Sequence, residues 1–107
     1  MGIRHDKLVR DLIPEVIAAN GARFATEVMD EGDYDAALRA KVLEEAAEIA
    51  GAGTEDLAGE IADQLEVLAA LAAAHGISEE EIGAERERKR IERGGFDRRL
   101  RLLWTED

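Results

Sequence analysis

The apolar positions between residues 41 and 74 recur every three or four residues, which is the spacing of α-helices. The pattern is interrupted at Gly51-Ala52-Gly53, where glycine can take the left-handed conformation that ends a helix. We therefore predict two helices joined by a short turn. Asp33 is the expected N-cap of the first and Thr54 that of the second, which His75-Gly76 would close. A turn this short makes the helices antiparallel neighbours.

Several acidic residues stand on these helices where packing alone would place apolar side chains. At about 100° per residue, a stripe of the first helix roughly 60° wide contains Leu38, Val42, Glu45 and Ile49. Glu48 lies at the edge of this stripe, while Glu44 points further towards the polar side. On the second helix, one line begins with Glu60 and Asp63 and continues with apolar residues. We expect these acids to face a sheltered site.

Carboxylates that converge in a partly dry space repel one another, so they must take up protons or bind a cation. The chain has no cysteine, and no histidine lies within four residues of these acids, so every ligand atom would be oxygen. Such a set suits Mg²⁺, or Mn²⁺, better than zinc or iron. A ferritin-like di-iron site normally contains Glu-x-x-His, which this sequence lacks. Mg²⁺ held by a few carboxylates keeps open positions that can bind phosphates.

The acids also form a motif, in which Glu44-Glu45-x-x-Glu48 is followed after eleven residues by Glu60-x-x-Asp63. This motif resembles the metal signature of the all-α nucleotide pyrophosphohydrolases, the MazG-like superfamily. Two flanking stretches, KLVRDLIP at residues 7–14 and ERGGF at residues 92–96, resemble a branch of small, single-domain house-cleaning enzymes in that superfamily. The likeness covers nearly the whole chain.

The resemblance implies an all-α fold with residues 1–107 as one domain. This would be an antiparallel helix bundle of the MazG-like type, completed by dimerisation or tetramerisation, with short extended segments at its periphery. The implied reaction is Mg²⁺-dependent hydrolysis of noncanonical or surplus nucleoside triphosphates to nucleoside monophosphate and pyrophosphate. The implied metal ligands are Glu45, Glu48, Glu60 and Asp63. Glu44, Glu45 or Glu48 would activate the attacking water.

Two other functions fit the same residues. The superfamily includes the phosphoribosyl-ATP pyrophosphohydrolase of histidine biosynthesis, whose reaction also releases pyrophosphate. The third function is non-catalytic: the acids would bind only cations or a partner chain, in a helical interaction module. A substrate panel separates the two enzymes, and stabilisation by divalent ions without pyrophosphate release would indicate the module.

Outside the central helices the pattern predicts two further helices and two short extended segments. A short helix is expected from about Pro14 to Asn20-Gly21. A capping box at Ser78 to Glu81 begins a long helix that ends near Arg93. Residues 23–30 and 98–104 alternate apolar with other residues, which favours short strands, and residues 30–33 read as a turn.

The candidate substrate-binding residues lie in these flanking regions. Lys89 and Arg93 stand at the entrance to Gly94-Gly95, whose backbone amides can approach a ligand, so this turn suits phosphate contact. Phe96 either stacks on a base or, more commonly for a single Phe, anchors the chain in the core. Lys7 and Arg10 either form surface salt bridges or, as the resemblance implies, belong to the nucleotide site.

Composition limits the partners. A length of 107 residues suits one domain with a modest core, which dimerisation would enlarge. The net charge of −11 argues against general nucleic-acid binding and against an anionic membrane surface, and it makes an anionic substrate dependent on bound cations. The sequence has no apolar run of membrane-spanning length and no signal-peptide core at its start, so a cytoplasmic location is expected. His75, at a helix end, is expected to cap the helix rather than to catalyse.

Overall fold

The computed structural model describes residues 2–106, and within them it contains four helices and no β-strand. The helices are α1 (Ile13–Ala19), α2 (Glu31–Gly51), α3 (Thr54–Ala74) and α4 (Glu79–Arg93). The predicted all-α fold is confirmed. The two segments whose alternation favours strands, residues 23–30 and 98–104, form no strand, because neither has a neighbouring strand to pair with among residues 2–106.

α2 begins earlier than the sequence pattern indicated. Its N-cap is Asp30 rather than Asp33: Asp30 Oδ1 accepts a hydrogen bond from the backbone N–H of Asp33 at 2.8 Å. Residues 31–33, predicted as part of a turn, are therefore the first turn of the helix. Two aspartates three residues apart can each cap a helix start, and here the earlier one does so. Glu31 and Asp33 then lie in the first turn, where the helix dipole favours negative charge.

The turn between α2 and α3 consists of Ala52 and Gly53. Thr54 is the first residue of α3 rather than its cap, since Gly53 occupies the N-cap position and no side chain caps this end. The other end of α3 follows the prediction, with His75 as C-cap and Gly76 at φ +66°, the left-handed region that favours glycine.

The two outer helices also match the sequence pattern closely. α1 starts one residue before Pro14 and is followed by Gly21 at φ +79°. α4 has the predicted bounds and capping box: Ser78 Oγ accepts from the N–H of Glu81 at 3.1 Å, and Glu81 Oε1 accepts from the N–H of Ser78 at 3.5 Å. Within the described part of the chain, no helix combines the length and hydrophobicity needed to cross a membrane.

α2 and α3 pack together as an antiparallel hairpin, which is the core of the chain. Leu38 of α2 is 1% exposed, and Glu45, two turns further along the same stripe, is 8% exposed. Opposite them, Gln64 of α3 donates from Nε2 to the backbone carbonyl of Val42 at 3.1 Å. This hydrogen bond fixes the register of the two helices close to Glu45.

The hairpin does not form a complete core. Leu38 is the one fully buried apolar side chain among residues 2–106, while Ile61, Leu65 and Leu68 of α3 are exposed. The radius of gyration is 18.5 Å, whereas a compact chain of this length has about 13 Å. An apolar helix face left open in this way is typical of a surface that another chain covers.

Candidate metal centre

Three carboxylates meet between α2 and α3. Oxygen atoms of Glu45, Glu60 and Asp63 all lie within 4.8 Å of one another. Glu45 is buried, and the other two are half-buried. The distances allow one cation to bind all three groups after small rotations of the side chains, and an all-oxygen site of this kind fits Mg²⁺ or Mn²⁺.

The helical periodicity explains why these three residues converge. Glu60 and Asp63 are three residues apart, so their side chains lie on the same face of α3. Glu45 lies on the α2 stripe that also contains the buried Leu38, so it faces α3. The helix packing that buries Leu38 therefore also turns Glu45 towards the two acids of α3.

The electrostatics of the centre favour a cation. The pKa of Glu60 is raised above its ordinary value, first by burial and then by the negative charges of Glu48, Asp63, Glu45 and Asp56. Such a carboxylate is easier to protonate than a free one, because its ionised form is poorly solvated and repelled by its neighbours. A divalent cation relieves the same repulsion without protonation.

Glu48, the fourth predicted ligand, lies outside this group. Its side chain is exposed, and the acids brought within 4.8 Å of one another in the described residues are Glu45, Glu60 and Asp63. Its charge nevertheless contributes to raising the pKa of Glu60. Glu48 is therefore close enough to act on the centre electrostatically, and it remains a predicted ligand.

The segment before α1 brings two cations to the centre. Arg10 donates from a guanidinium nitrogen to Asp63 Oδ1 at 2.8 Å, and Lys7 donates from Nζ to Glu44 Oε1 at 3.3 Å. Both cations are about half exposed, so their remaining N–H groups are accessible to a ligand. The sequence left open whether they form salt bridges or belong to the site. In the structure they do form salt bridges: Arg10 contacts Asp63 of the candidate centre, and Lys7 contacts Glu44, the residue next to Glu45.

Lys41 is a further cation that sequence reasoning did not single out. Its Nζ lies 3.6 Å from Glu44 Oε2 and 3.9 Å from Glu45 Oε1. Hydrogen bonding to Lys7 is the largest cause that lowers the pKa of Glu44; burial opposes it, and the charge of Lys41 adds to the lowering. The signal was present in the sequence, since Lys41 precedes these two acids by three and four residues on one helix.

A small cavity lies beside this edge of the centre. It has a volume of about 110 Å³ and is lined by Lys7, Leu8, Met29, Lys41 and Glu44 among others. This volume holds a few water molecules, each of which occupies roughly 30 Å³ in the liquid. The cavity therefore gives water access to the carboxylate of Glu44 next to two cations.

The residues predicted around the end of α4 lie apart from the centre in the single chain. No hydrogen bond or ion pair among residues 2–106 links Lys89, Arg93, Gly94 or Gly95 to the three acids. Phe96 is 96% exposed, so the expectation that it anchors the core is wrong for the single chain. Gly94 has a φ of +80°, and its N–H donates to the carbonyl of Arg90 at 2.8 Å, which ends α4.

His75 does more than cap α3. Its Nε2 lies 2.6 Å from Asp35 Oδ1 on the first turns of α2, and Arg39 donates to the other oxygen of Asp35 at 2.9 Å. The hydrogen bond from His75, and then that from Arg39, lowers the pKa of Asp35 below its ordinary value of 3.8. This cluster links the start of α2 to the end of α3, opposite the turn of the helical hairpin.

The Asp35→Asn variant is expected to lower the Tm by roughly a few degrees at pH 7. A carboxyl group with a lowered pKa stabilises the fold above its unfolded-state pKa, and this contribution is lost as the pH falls through the folded-state pKa. The difference in Tm between the wild type and Asp35→Asn should therefore shrink as the pH falls past the ordinary pKa of 3.8 towards the lower folded-state pKa. Thermal melts from pH 7 to pH 3 measure it. A difference that stays constant over this range contradicts the assignment, and the exposed Glu66→Gln serves as the control.

Comparison with known proteins gives a partial match. No family model matches the chain, and no solved structure matches it. A curated protein of Mycolicibacterium smegmatis, described as "Uncharacterized protein", is 46% identical over 52 residues, which are 49% of this chain and 53% of that protein. The chain thus spans about half the length of this relative, whose description assigns no activity.

Proposed function

We propose that this protein is a Mg²⁺-dependent nucleoside triphosphate pyrophosphohydrolase that acts on noncanonical or surplus nucleotides. The observation that carries the proposal is the convergence of Glu45, Glu60 and Asp63 within 4.8 Å, from two helices, in an all-oxygen site. These are three of the four ligands in the motif that resembles the MazG-like signature. Their repulsion gives the site a physical reason to bind a cation.

In this proposal the acids of the hairpin hold the metal. Glu45, Glu60 and Asp63 would be the ligands. Glu48, at the edge of the α2 stripe, would join them by adopting another rotamer. Bound Mg²⁺ supplies positive charge to phosphate oxygens and makes water easier to deprotonate. Glu44 stays ionised beside Lys7 and Lys41 and can accept a hydrogen bond from the attacking water, and Glu45 or Glu48 can serve instead.

The reaction itself is displacement at the α-phosphorus. The bond from the water oxygen to phosphorus forms as the bond to the bridging oxygen of the β-phosphate breaks, and a water proton passes to a carboxylate. Pyrophosphate leaves, and the nucleoside monophosphate remains. Lys7 and Arg10, held at the centre by Glu44 and Asp63, would bind the phosphate oxygens, since each has donors to spare.

The proposal includes a homodimer or a tetramer. The exposed apolar side chains of α3, the single fully buried apolar residue and the large radius of gyration all favour a core completed by another copy. Such packing would let Lys89, Arg93 and the turn at Gly94-Gly95 approach the centre of a partner, with Phe96 available to stack on a base. A cytoplasmic location, where nucleotides are abundant, belongs to the same proposal.

The test is an assay that separates pyrophosphate from orthophosphate release in the presence of Mg²⁺. The panel contains standard, deaminated and oxidised nucleoside triphosphates together with phosphoribosyl-ATP. Pyrophosphate from one or more triphosphates supports the proposal, while a reaction confined to phosphoribosyl-ATP supports the histidine-biosynthesis enzyme.

Glu48→Ala is measured in the same assay. It removes the exposed acid and keeps the three that converge, so it tests whether Glu48 is needed for activity. We expect it to lose most of the activity if Glu48 completes the metal site. No pyrophosphate from any substrate, with the Tm still raised by Mg²⁺, would reject the enzyme and favour the cation-binding module.

A further inference from the structure

Two segments of this chain have the sequence of β-strands but no strand partner. The first, residues 23–29, has Phe24, Thr26 and Val28 alternating with other residues. The second, residues 100–105, follows a turn in which the N–H of Arg99 donates to the carbonyl of Phe96 at 3.0 Å. We call residues 23–29 the α1–α2 segment and residues 100–105 the C-terminal arm. Alternation of this kind is typical of a strand with one covered face.

Both segments expose side chains that normally need cover. Val28 is 100% exposed, Leu102 is 80% exposed and Trp104 is 73% exposed. Within residues 2–106, no hydrogen bond between backbone groups involves either segment. The backbone N–H and C=O groups of each segment therefore have no backbone partner in the described chain, as in an edge strand that recruits another strand.

The two segments fit each other in an antiparallel register that aligns their longest run of matched pairs. When Thr26 faces Leu102, Phe24 faces Trp104 and Val28 faces Leu100, so these apolar side chains lie on one side. The opposite side then pairs Glu27 with Arg101, and Ala25 with Leu103. Aromatic pairs, apolar pairs and opposite charges are the cross-strand pairs that stabilise antiparallel strands, by about 0.2–1 kcal/mol each. In the parallel alternative, Glu27 would face Leu103, and its charge would have no partner.

The single chain does not make this pairing. The C-terminal arm leaves from the end of α4, whereas the extensive helix packing of the described chain is between α2 and α3. The arm also carries Arg98 and Arg99 at its base and Arg101 in its middle, in a chain whose net charge is −11. Acidic surfaces of this same chain therefore attract the arm electrostatically. One of them is the start of α2, which lies next to the end of the α1–α2 segment.

We propose that two copies of this protein exchange arms: residues 100–104 of each copy pair as an antiparallel strand with residues 24–28 of the other. Two-fold symmetry makes the exchange reciprocal, so each dimer contains two such ribbons. In each ribbon, the apolar side chains of the arm would pack beside those of the other copy, and the two ribbons would hold the dimer together. This interface requires association of the chain but no catalytic activity, so its test is independent of the proposed hydrolysis.

The absence of cysteine makes a disulfide test direct. In the Thr26→Cys, Leu102→Cys double variant, the two new thiols face each other across the ribbon at a distance that a disulfide can bridge. After mild oxidation, we expect a covalent dimer on non-reducing gels, converted to monomer by reductant. The matched control is Thr26→Cys with Arg101→Cys, which places the second thiol on the opposite face. It should give several-fold less covalent dimer, and either single variant should give little.

Two other outcomes would overturn the arm exchange. A disulfide that closes within one chain, seen as a monomer that migrates faster without reductant, would mean that the arm folds back on its own segment. Free thiols in the double variant, at concentrations where light scattering finds the protein dimeric, would mean that the copies associate without pairing these segments. Both substituted positions are exposed, so the variants should fold as the wild type does.

Discussion

The Asp63→Asn variant is expected to lose pyrophosphatase activity by on the order of 10²-fold or more, while its helical content stays unchanged. Asp63 is one of the three acids whose oxygen atoms lie within 4.8 Å of one another. Asn has nearly the same shape and still offers an oxygen to Arg10, which now donates to Asp63 at 2.8 Å. The substitution removes mainly the negative charge that would bind the cation. A 10²-fold loss corresponds to about 2.7 kcal/mol in the barrier.

The matched control for Asp63→Asn is Glu66→Gln, which removes a charge from the same helix one turn away. Glu66 is exposed and lies outside the group of three acids. Steady-state rates at several Mg²⁺ concentrations distinguish the two variants: Asp63→Asn should need more Mg²⁺ and still not reach the wild-type rate, whereas Glu66→Gln should match the wild type. Full activity in Asp63→Asn would rule out Asp63 as a metal ligand.

The helix faces that carry this site could be predicted from periodicity alone. Glu45 shares a stripe with Leu38, and Glu60 shares a face with Asp63, so the spacing predicts which face of each helix carries the acids. These relations depend only on residue spacing within each helix. The helix bounds were predictable for the same reason, because glycines and capping residues mark most of the ends.

Contacts that depend on how segments lie against one another could not be predicted in this way. The pairing of Asp35 with His75 requires the register of α2 against α3, which the hydrogen bond from Gln64 to Val42 helps to fix. The contacts of Lys7 and Arg10 depend on the path of a non-helical segment, for which the sequence has no periodic signal. The strand predictions at residues 23–30 and 98–104 are wrong for the single chain, because a strand also requires a partner, and the described chain pairs neither segment.

Replacement of Glu45 by Gln should affect stability in opposite directions with and without metal. Glu45 is 8% exposed, and its charge helps to raise the pKa of Glu60. In a chelator, Glu45→Gln removes a buried charge and its repulsion, so we expect the Tm to rise by roughly a few degrees. Lys41 loses an ion-pair partner at 3.9 Å, but it keeps a closer one, the carboxylate of Glu44 at 3.6 Å.

With Mg²⁺ present, the wild type should have the higher Tm and Glu45→Gln the lower. A ligand that binds only the folded state stabilises it by about 2.7 kcal/mol at a concentration one hundred times its Kd. The wild type should gain this stability, and Glu45→Gln should gain much less, so their melting curves exchange places between chelator and saturating Mg²⁺. A residue kept only for packing would give a variant that is less stable under both conditions, and that result would contradict the metal centre. A reversed order of the two Tm values would show that the charge of Glu45 destabilises the metal-free protein and that the bound cation more than offsets this loss.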